Sequence, residues 1–313
     1  MKAFKGKALL GWLNKKKQTP QGLIGLETGP EGIALAQVER DVEGRARLLR
    51  CLFKAAAPAE QAQVLKDWVQ ELQLQGAAVN FLLHPASYQL LLLDCPDVPE
   101  DELRDAMRWR LKDLISQPLE TVVTDLIALP ADAYRGRSRM AYCAVLEKQQ
   151  MEQTARLLRQ AGLRLQSIDI TEMAFRNLGL QVGAAGINLA LLRLRSSEGL
   201  ISVQNGADLY MARRIEQGIE RADGNYAAIT LEVQRSLDYF ESQLGKGYIN
   251  RLLLLPMKRD GEQAMQALAG GLAVNLQRLT LEDLFGDDVP LLDEREQAYC
   301  LTAVGAALRQ ENS

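Results

Sequence analysis

Histidine is nearly missing from this chain of 313 residues, in which His84 is the only one. It stands before Pro85 at the end of an apolar run and reads as a strand-end residue, with no partners in sequence for Ser-His-Asp or Cys-His catalysis. Cysteine is scarce as well. Cys51, Cys95, Cys143 and Cys300 are scattered, which excludes a zinc knuckle or a CxxC redox pair and reads as four reduced thiols. No run of about twenty apolar residues is present, the length a membrane-crossing helix needs. Charge of one sign is not in excess either: 37 Lys and Arg face 40 Asp and Glu, a formal net charge of -3. With no basic stripe interleaved with aromatics, nucleic acid is set aside as a partner. The P-loop pattern GxxxxGKS/T and a strand-anchored GxGxxG are both absent.

What is present supports two ordinary domains, because 47% of the residues are apolar and the length allows sizeable cores. Met1 to Lys17 stands apart from the rest. It carries Lys2, Lys5, Lys7, Lys15, Lys16 and Lys17 with no acidic residue, around Phe4, Leu9, Leu10, Trp12 and Leu13. Such a basic amphipathic tail is either a solvated end or a weak contact with an anionic membrane surface.

Beyond the tail, strands are expected over Leu23 to Glu27, Gly32 to Glu39 and Ala46 to Phe53, then a helix from Ala59 to Gln75 ended by Gly76. Strand-like runs follow at Ala78 to Leu83 and Tyr88 to Leu93. The pattern breaks at Pro96 and Pro99, where a helix from Glu100 to Ser116 and strands at Leu119 to Leu129 and Met140 to Leu146 predict a small insert. A helix from Gln149 to Ala161, a strand from Leu163 to Ile170 and a helix capped by Thr171 return the chain to its parent fold. The second half repeats this order. Three strands (Ile187 to Leu194, Gly199 to Gln204, Asp208 to Ile215) precede a helix from Tyr226 to Leu244, a strand from Arg251 to Leu255, a helix from Glu262 to Leu272, a strand from Ala273 to Gln277 and a last helix, Glu294 to Arg309. A repeat of element order predicts a two-lobed α/β protein whose cleft is the ligand site. The expected divisions are a tail over residues 1–20, a first lobe over 21–185 with its insert at about 96–147, and a second lobe over 186–313.

Several local patterns carry a more specific likeness. Leu23-Ile24-Gly25-Leu26-Glu27 with Gly29 looks like an opening strand and first phosphate loop; Glu102 to Asp125 looks like an inserted-subdomain segment. Ala161-Gly162-Leu163 with Ile168-Asp169, Val203 to Arg214 and Glu232 to Gln243 continue the likeness in order along the chain. Together they resemble the PilM family of type IV pilus assembly proteins, and within it the MshI branch of MSHA pilus biogenesis. The cytoplasmic part of the secretion protein GspL/EpsL is a more distant resemblance.

That resemblance implies a duplicated actin-like, ribonuclease H-like fold with two lobes and a small insert in the first. It also implies a cytoplasmic protein peripheral to the inner membrane. Its partner would be the cytoplasmic tail of a PilN- or MshJ-like membrane protein within a pilus assembly platform, seated between the first lobe and the insert. Trp109, Leu119, Val122 and Val123 are the candidate contacts. In active relatives an Asp of the first loop positions metal and water. Here Glu27 takes that place beside Thr28 and Gly29, and Pro30 has no N–H to offer a phosphate. Glu31 brings negative charge, Arg193-Leu194-Arg195 replaces the Asp-Ile-Gly of the second loop, and Leu255-Pro256-Met257-Lys258 replaces the Gly-Gly on the adenosine side. Gly270-Gly271 reads as a helix end. Arg193 and Arg195 alternate on a strand and are expected to share a solvated face. The resulting expectation is a structural adaptor with a vestigial nucleotide site (Glu27, Thr28, Gly29, Arg193, Arg195), no catalysis, no cofactor and no metal. The alternative is a Mg-dependent actin-like ATPase that uses Glu27.

Overall fold

The computed structural model describes residues 22–134 and 139–310. The basic tail expected over residues 1–20 lies outside them. In the first half, β1 (Leu23–Gly29), β2 (Gly32–Arg40) and β3 (Ala46–Ala55) form an antiparallel meander. They are followed by α1 (Gln61–Glu71), β4 (Ala78–Leu82), β5 (Tyr88–Asp94), α2 (Leu103–Leu111), β6 (Val122–Ala128) and β7 (Met140–Glu147). Helix α3 (Lys148–Gln160), β8 (Arg164–Asp169) and α4 (Thr171–Gln181) complete this half. The second half holds β9 (Asn188–Leu194), β10 (Gly199–Asn205), β11 (Asp208–Ile215), α5 (Ile219–Ala222), α6 (Ala227–Tyr239), β12 (Arg251–Leu254), α7 (Gly261–Gly271), β13 (Leu276–Arg278), α8 (Leu281–Phe285) and α9 (Glu294–Ala307).

Two five-stranded sheets share one topology, β3-β2-β1-β4-β8 and β11-β10-β9-β12-β13. Each is buried on both faces, which is why β1, β2 and β9 read as continuous apolar runs and not as alternations. On β2, Ile33 and Leu35 face the layer of α1 and α3 with Val64, Leu65 and Leu158. Ala34 and Ala36 face the opposite way, toward Cys300, Ala303 and Val304 of α9. Small residues on that inner face let the helix approach closely.

Helices α4 and α9 pack on each other between the two sheets. Phe175 and Leu178 of α4 join Leu189, Leu191 and Leu253 of the second sheet, so each half contributes one helix to the middle layer. Gly25 fits this crossing for a steric reason: a Cβ there would stand 1.9 Å from the Ala303 carbonyl oxygen. Helix α9 begins with a reciprocal capping box in which Asp293 accepts from Glu296 N at 2.8 Å. Its segment from Cys300 to Ala307 is buried on every side, as a helix between layers must be.

The insert differs from its expected limits. Its three-stranded sheet has the order β5-β7-β6. Tyr88–Asp94 therefore belongs to it, and it starts before residue 96. One face packs on α2 through Leu103, Met107, Val122 and Cys143. The other reaches both lobes: Leu90 and Leu146 pack on the first-lobe core, and Met140 and Tyr142 pack on the second. Ala212 N of β11 donates to the Tyr142 hydroxyl at 2.8 Å, which ties the insert to the second sheet's edge.

Local boundaries also shift. Leu119 lies in a short 3-10 turn, Leu119–Thr121, ahead of β6. Thr171 does not cap α4: Ile170 holds the cap position, and the Thr171 hydroxyl is buried with no hydrogen-bond partner among the described residues. Gly270-Gly271 ends α7 as expected.

Candidate functional site in the interlobe cleft

The two hairpins that open the halves point at each other across a cleft of about 680 Å³. Gly29 pairs with Gly32, so Pro30 and Glu31 are the two central residues of a tight turn, anchored by Gln61 Nε2 donating to Gly29 O at 2.7 Å. On the facing side Leu194 pairs with Gly199, and Arg195 to Glu198 form the β9–β10 turn.

Glu27 ends the apolar run of β1 on the face turned toward α9, and it is buried. Both of its carboxylate oxygens are engaged. Arg195 Nη2 donates to Oε1 at 3.1 Å, and the Thr302 hydroxyl of α9 donates to Oε2. A charge-assisted pair with little solvent around it is stronger than an exposed one. Arg195 also meets His84 Nε2 at 3.0 Å through Nη1. Ala86 N lies 3.3 Å from His84 Nδ1. A neutral imidazole has one lone pair, and the shorter charge-assisted contact places it on Nε2. Burial, reinforced by the Arg195 charge, lowers the His84 pKa and keeps the ring neutral.

A second bridge lies nearer the mouth. Lys258, from the segment after β12, pairs with Glu31 of the first turn. Its ammonium sits 4.3 Å from the centre of the Tyr299 ring, which is stacked on Phe53 at 3.8 Å. Both hairpins are thus tied across the cleft by oppositely charged side chains from the other half.

Arg193 lies on the inner face of β9 beside Phe175, with its guanidinium carbon 5.3 Å from the ring centre. Only 7% of its surface is exposed, and Nε and Nη1 have no hydrogen-bond partner among the described residues. Burial above all, and then the neighbouring Arg195, lowers its pKa to about 9. Near it Tyr88 Oη donates to Glu172 Oε2 at 2.6 Å, and burial raises the Glu172 pKa.

The structure therefore brings together Glu27, Gly29, Arg193 and Arg195 from the expected set. Thr28 does not line the cleft. The solvated face expected for Arg193 and Arg195 is overturned, because β9 is covered on both sides and its inner face is the cleft floor. His84, Thr302 and Tyr299 were missed as site residues; His84 gave only the signal of a polar residue closing a strand, and Thr302 gave none inside an apolar helix. Among the described residues no group of three or more His, Cys, Asp or Glu side chains could hold a metal ion.

The four expected partner contacts do not share one surface. Trp109 is 68% exposed on α2, whereas Val122 is 1% exposed in the core beneath that helix. Leu119 packs at the rim of the same core. Val123 follows Val122 on the alternate face of β6, since successive strand side chains point to opposite sides. Val122 is thus a packing residue and not a contact.

No protein-family model and no curated protein matches the chain. Solved structures do. A Bacteroides thetaiotaomicron protein described as having an actin-like ATPase fold matches 85% of this chain and 94% of its own, with TM-score 0.51 and 12% identity. The fold is actin-like. A chain of the PilM-PilN type IV pilus biogenesis complex matches 92% of this chain and 98% of its own at TM-score 0.70 and 20% identity. The cytoplasmic domain of EpsL, an inner-membrane component of the Vibrio cholerae type II secretion system, matches 93% and 95% at TM-score 0.50 and 13% identity. At these identities the likeness extends to the actin-like fold itself. No helix among the described residues is long and apolar enough to cross a membrane.

Proposed function

We propose that the protein is a catalytically silent, PilM-like adaptor that works on the cytoplasmic side of the inner membrane. There it would hold the cytoplasmic tail of a PilN-like membrane protein in a pilus assembly platform, with an MSHA-type pilus and an MshJ-like tail as the specific case. The carrying observation is the double bridge across the cleft. Arg195 and Thr302 take both oxygens of Glu27, and Lys258 takes Glu31. A cationic side chain on Glu27 supplies the charge that a bound divalent ion would otherwise bring.

The same residues fit Mg-ATP poorly. Pro30 lacks the N–H that a phosphate loop presents, and the Lys258–Glu31 pair spans the rim where a nucleotide would enter. The end-to-end match to a chain of the PilM-PilN complex supports the adaptor reading. An extended tail docks by backbone pairing with a sheet edge and apolar side chains in pockets. Strand β6 offers such an edge, being paired with β7 alone among the described strands, with Leu119 and Val123 half-buried beside it and Trp109 exposed on α2.

The test is a pull-down with a synthetic N-terminal tail of a PilN- or MshJ-type protein. Capture that is unchanged by Mg-ATP is expected; failure to capture with and without Mg-ATP would sink the reading.

A further inference from the structure

Among the described residues the buried guanidinium of Arg193 has no anionic partner of its own. Glu27, a carboxylate of the cleft wall, is occupied by Arg195 and Thr302. Glu172 is occupied by the Tyr88 hydroxyl. Phe175 contributes a ring face and no charge. Two arginines and one engaged carboxylate thus meet at the cleft floor, and one of those arginines is desolvated with two nitrogens unpartnered. A desolvated charge without a counter-ion is strongly unfavourable. The remaining exposed part of Arg193 opens on a cleft of about 680 Å³.

We propose that the floor of the interlobe cleft is a metal-independent site for a small oxyanion, a phosphate or a carboxylate group, received by Arg193. Arginine suits this chemistry because its planar group, charged at neutral pH, presents paired N–H donors that match paired oxygens. Arg193 and Arg195 set against the single carboxylate of Glu27 leave one net positive charge at the floor, enough to neutralise a singly charged oxyanion without a divalent ion. Pro30, which offers no N–H, and the Lys258–Glu31 pair, which spans the mouth, restrict the site to a small anion and disfavour an extended polyphosphate. An anion at the floor also relieves the mutual repulsion of Arg193 and Arg195, the second cause of the lowered pKa of Arg193. This site is independent of tail capture: either can fail while the other stands.

The experiment is thermal unfolding of the full chain in EDTA, titrated with inorganic phosphate or with acetate against sodium chloride at matched ionic strength. Wild type is expected to show a saturable rise in Tm of several degrees with at least one oxyanion and none with chloride, as ligand binding to the native state requires. Phosphate and acetate distinguish the two sources of the group. Arg193→Met should abolish the rise, and Glu27→Gln, which removes the competing carboxylate, should tighten binding several-fold. If Arg193→Met does not fold, the comparison of wild type with Glu27→Gln decides alone. The proposal is overturned by no rise beyond chloride in either protein, by an equal rise in Arg193→Met, or by unchanged or weaker binding in Glu27→Gln.

Discussion

Arg195 and Glu27 stand 168 positions apart in the chain and meet at 3.1 Å across the interlobe cleft. Each sits on the opening hairpin of its own half, so a bond between them fixes the distance between the lobes. The Arg195 side chain is 23% exposed and that of Glu27 is 9% exposed. A double-mutant cycle of Arg195→Ala and Glu27→Ala, read by urea denaturation, should give a coupling of about 1 to 3 kcal/mol, between exposed and fully buried pairs. Additive losses would show that the pair does not hold the lobes together.

Gly25 faces the backbone of α9. Gly25→Ala drives a methyl into the Ala303 carbonyl and should destabilise the protein by about 3 kcal/mol or more, since backbone cannot step aside as a side chain can. Gly270 in α7 has nothing within 4 Å of its Cβ direction. There the same change should stabilise by up to about 1 kcal/mol through helix propensity. Equal effects at the two sites would contradict the close crossing of α9 over β1.

Glu172 yields a pH prediction. Burial raises its pKa above the ordinary 4.5, so the native state keeps a proton that the unfolded chain has already released. The associated stability is fully present below pH 4.5 and is lost as pH rises through the native pKa. Each proton of difference gives a slope of about 1.4 kcal/mol per pH unit. Asp169 is raised by burial in the same direction and adds to the loss. Glu172→Gln should reduce the slope of stability against pH just above 4.5; an unchanged slope in chemical denaturation would contradict the assigned burial.

Within the insert, core and surface separate cleanly. Val122→Ala removes two methyl groups from the packing under α2 and should cost about 2 kcal/mol. Trp109→Ala, at an exposed site, should change stability by no more than about 0.5 kcal/mol. If Trp109 forms part of the docking surface, tail capture by that variant falls while its unfolding curve does not move.

Local periodicity and turn chemistry made much of the fold legible. Three strands opening each half, the helix ended by Gly270-Gly271 and the helix and two strands of the insert that come after Pro96 all follow from patterns within about twenty residues. Pairings between distant segments were not legible. Tyr88–Asp94 reads as one more strand of the parent sheet, and only its antiparallel ladder with Met140–Glu147 assigns it to the insert. Arg193 and Arg195 alternate like residues on an exposed strand face. Nothing in their spacing reveals that α4 and α9 cover that face and leave only a cleft. Glu27 was legible as a loop residue, but its two bonds come from Arg195 and Thr302, far along the chain. Thr171 carries a capping residue type at a helix start, yet its hydroxyl is turned into the buried interior, where burial overrides the local preference.

Calorimetric titration of the purified chain with Mg-ATP tests the central claim most directly. A cleft bridged by Arg195–Glu27 and Lys258–Glu31 predicts no micromolar binding, and no Mg-ATP signal stronger than that of inorganic phosphate. Micromolar, magnesium-dependent binding that disappears in Glu27→Ala would contradict it and establish the nucleotide site as intact.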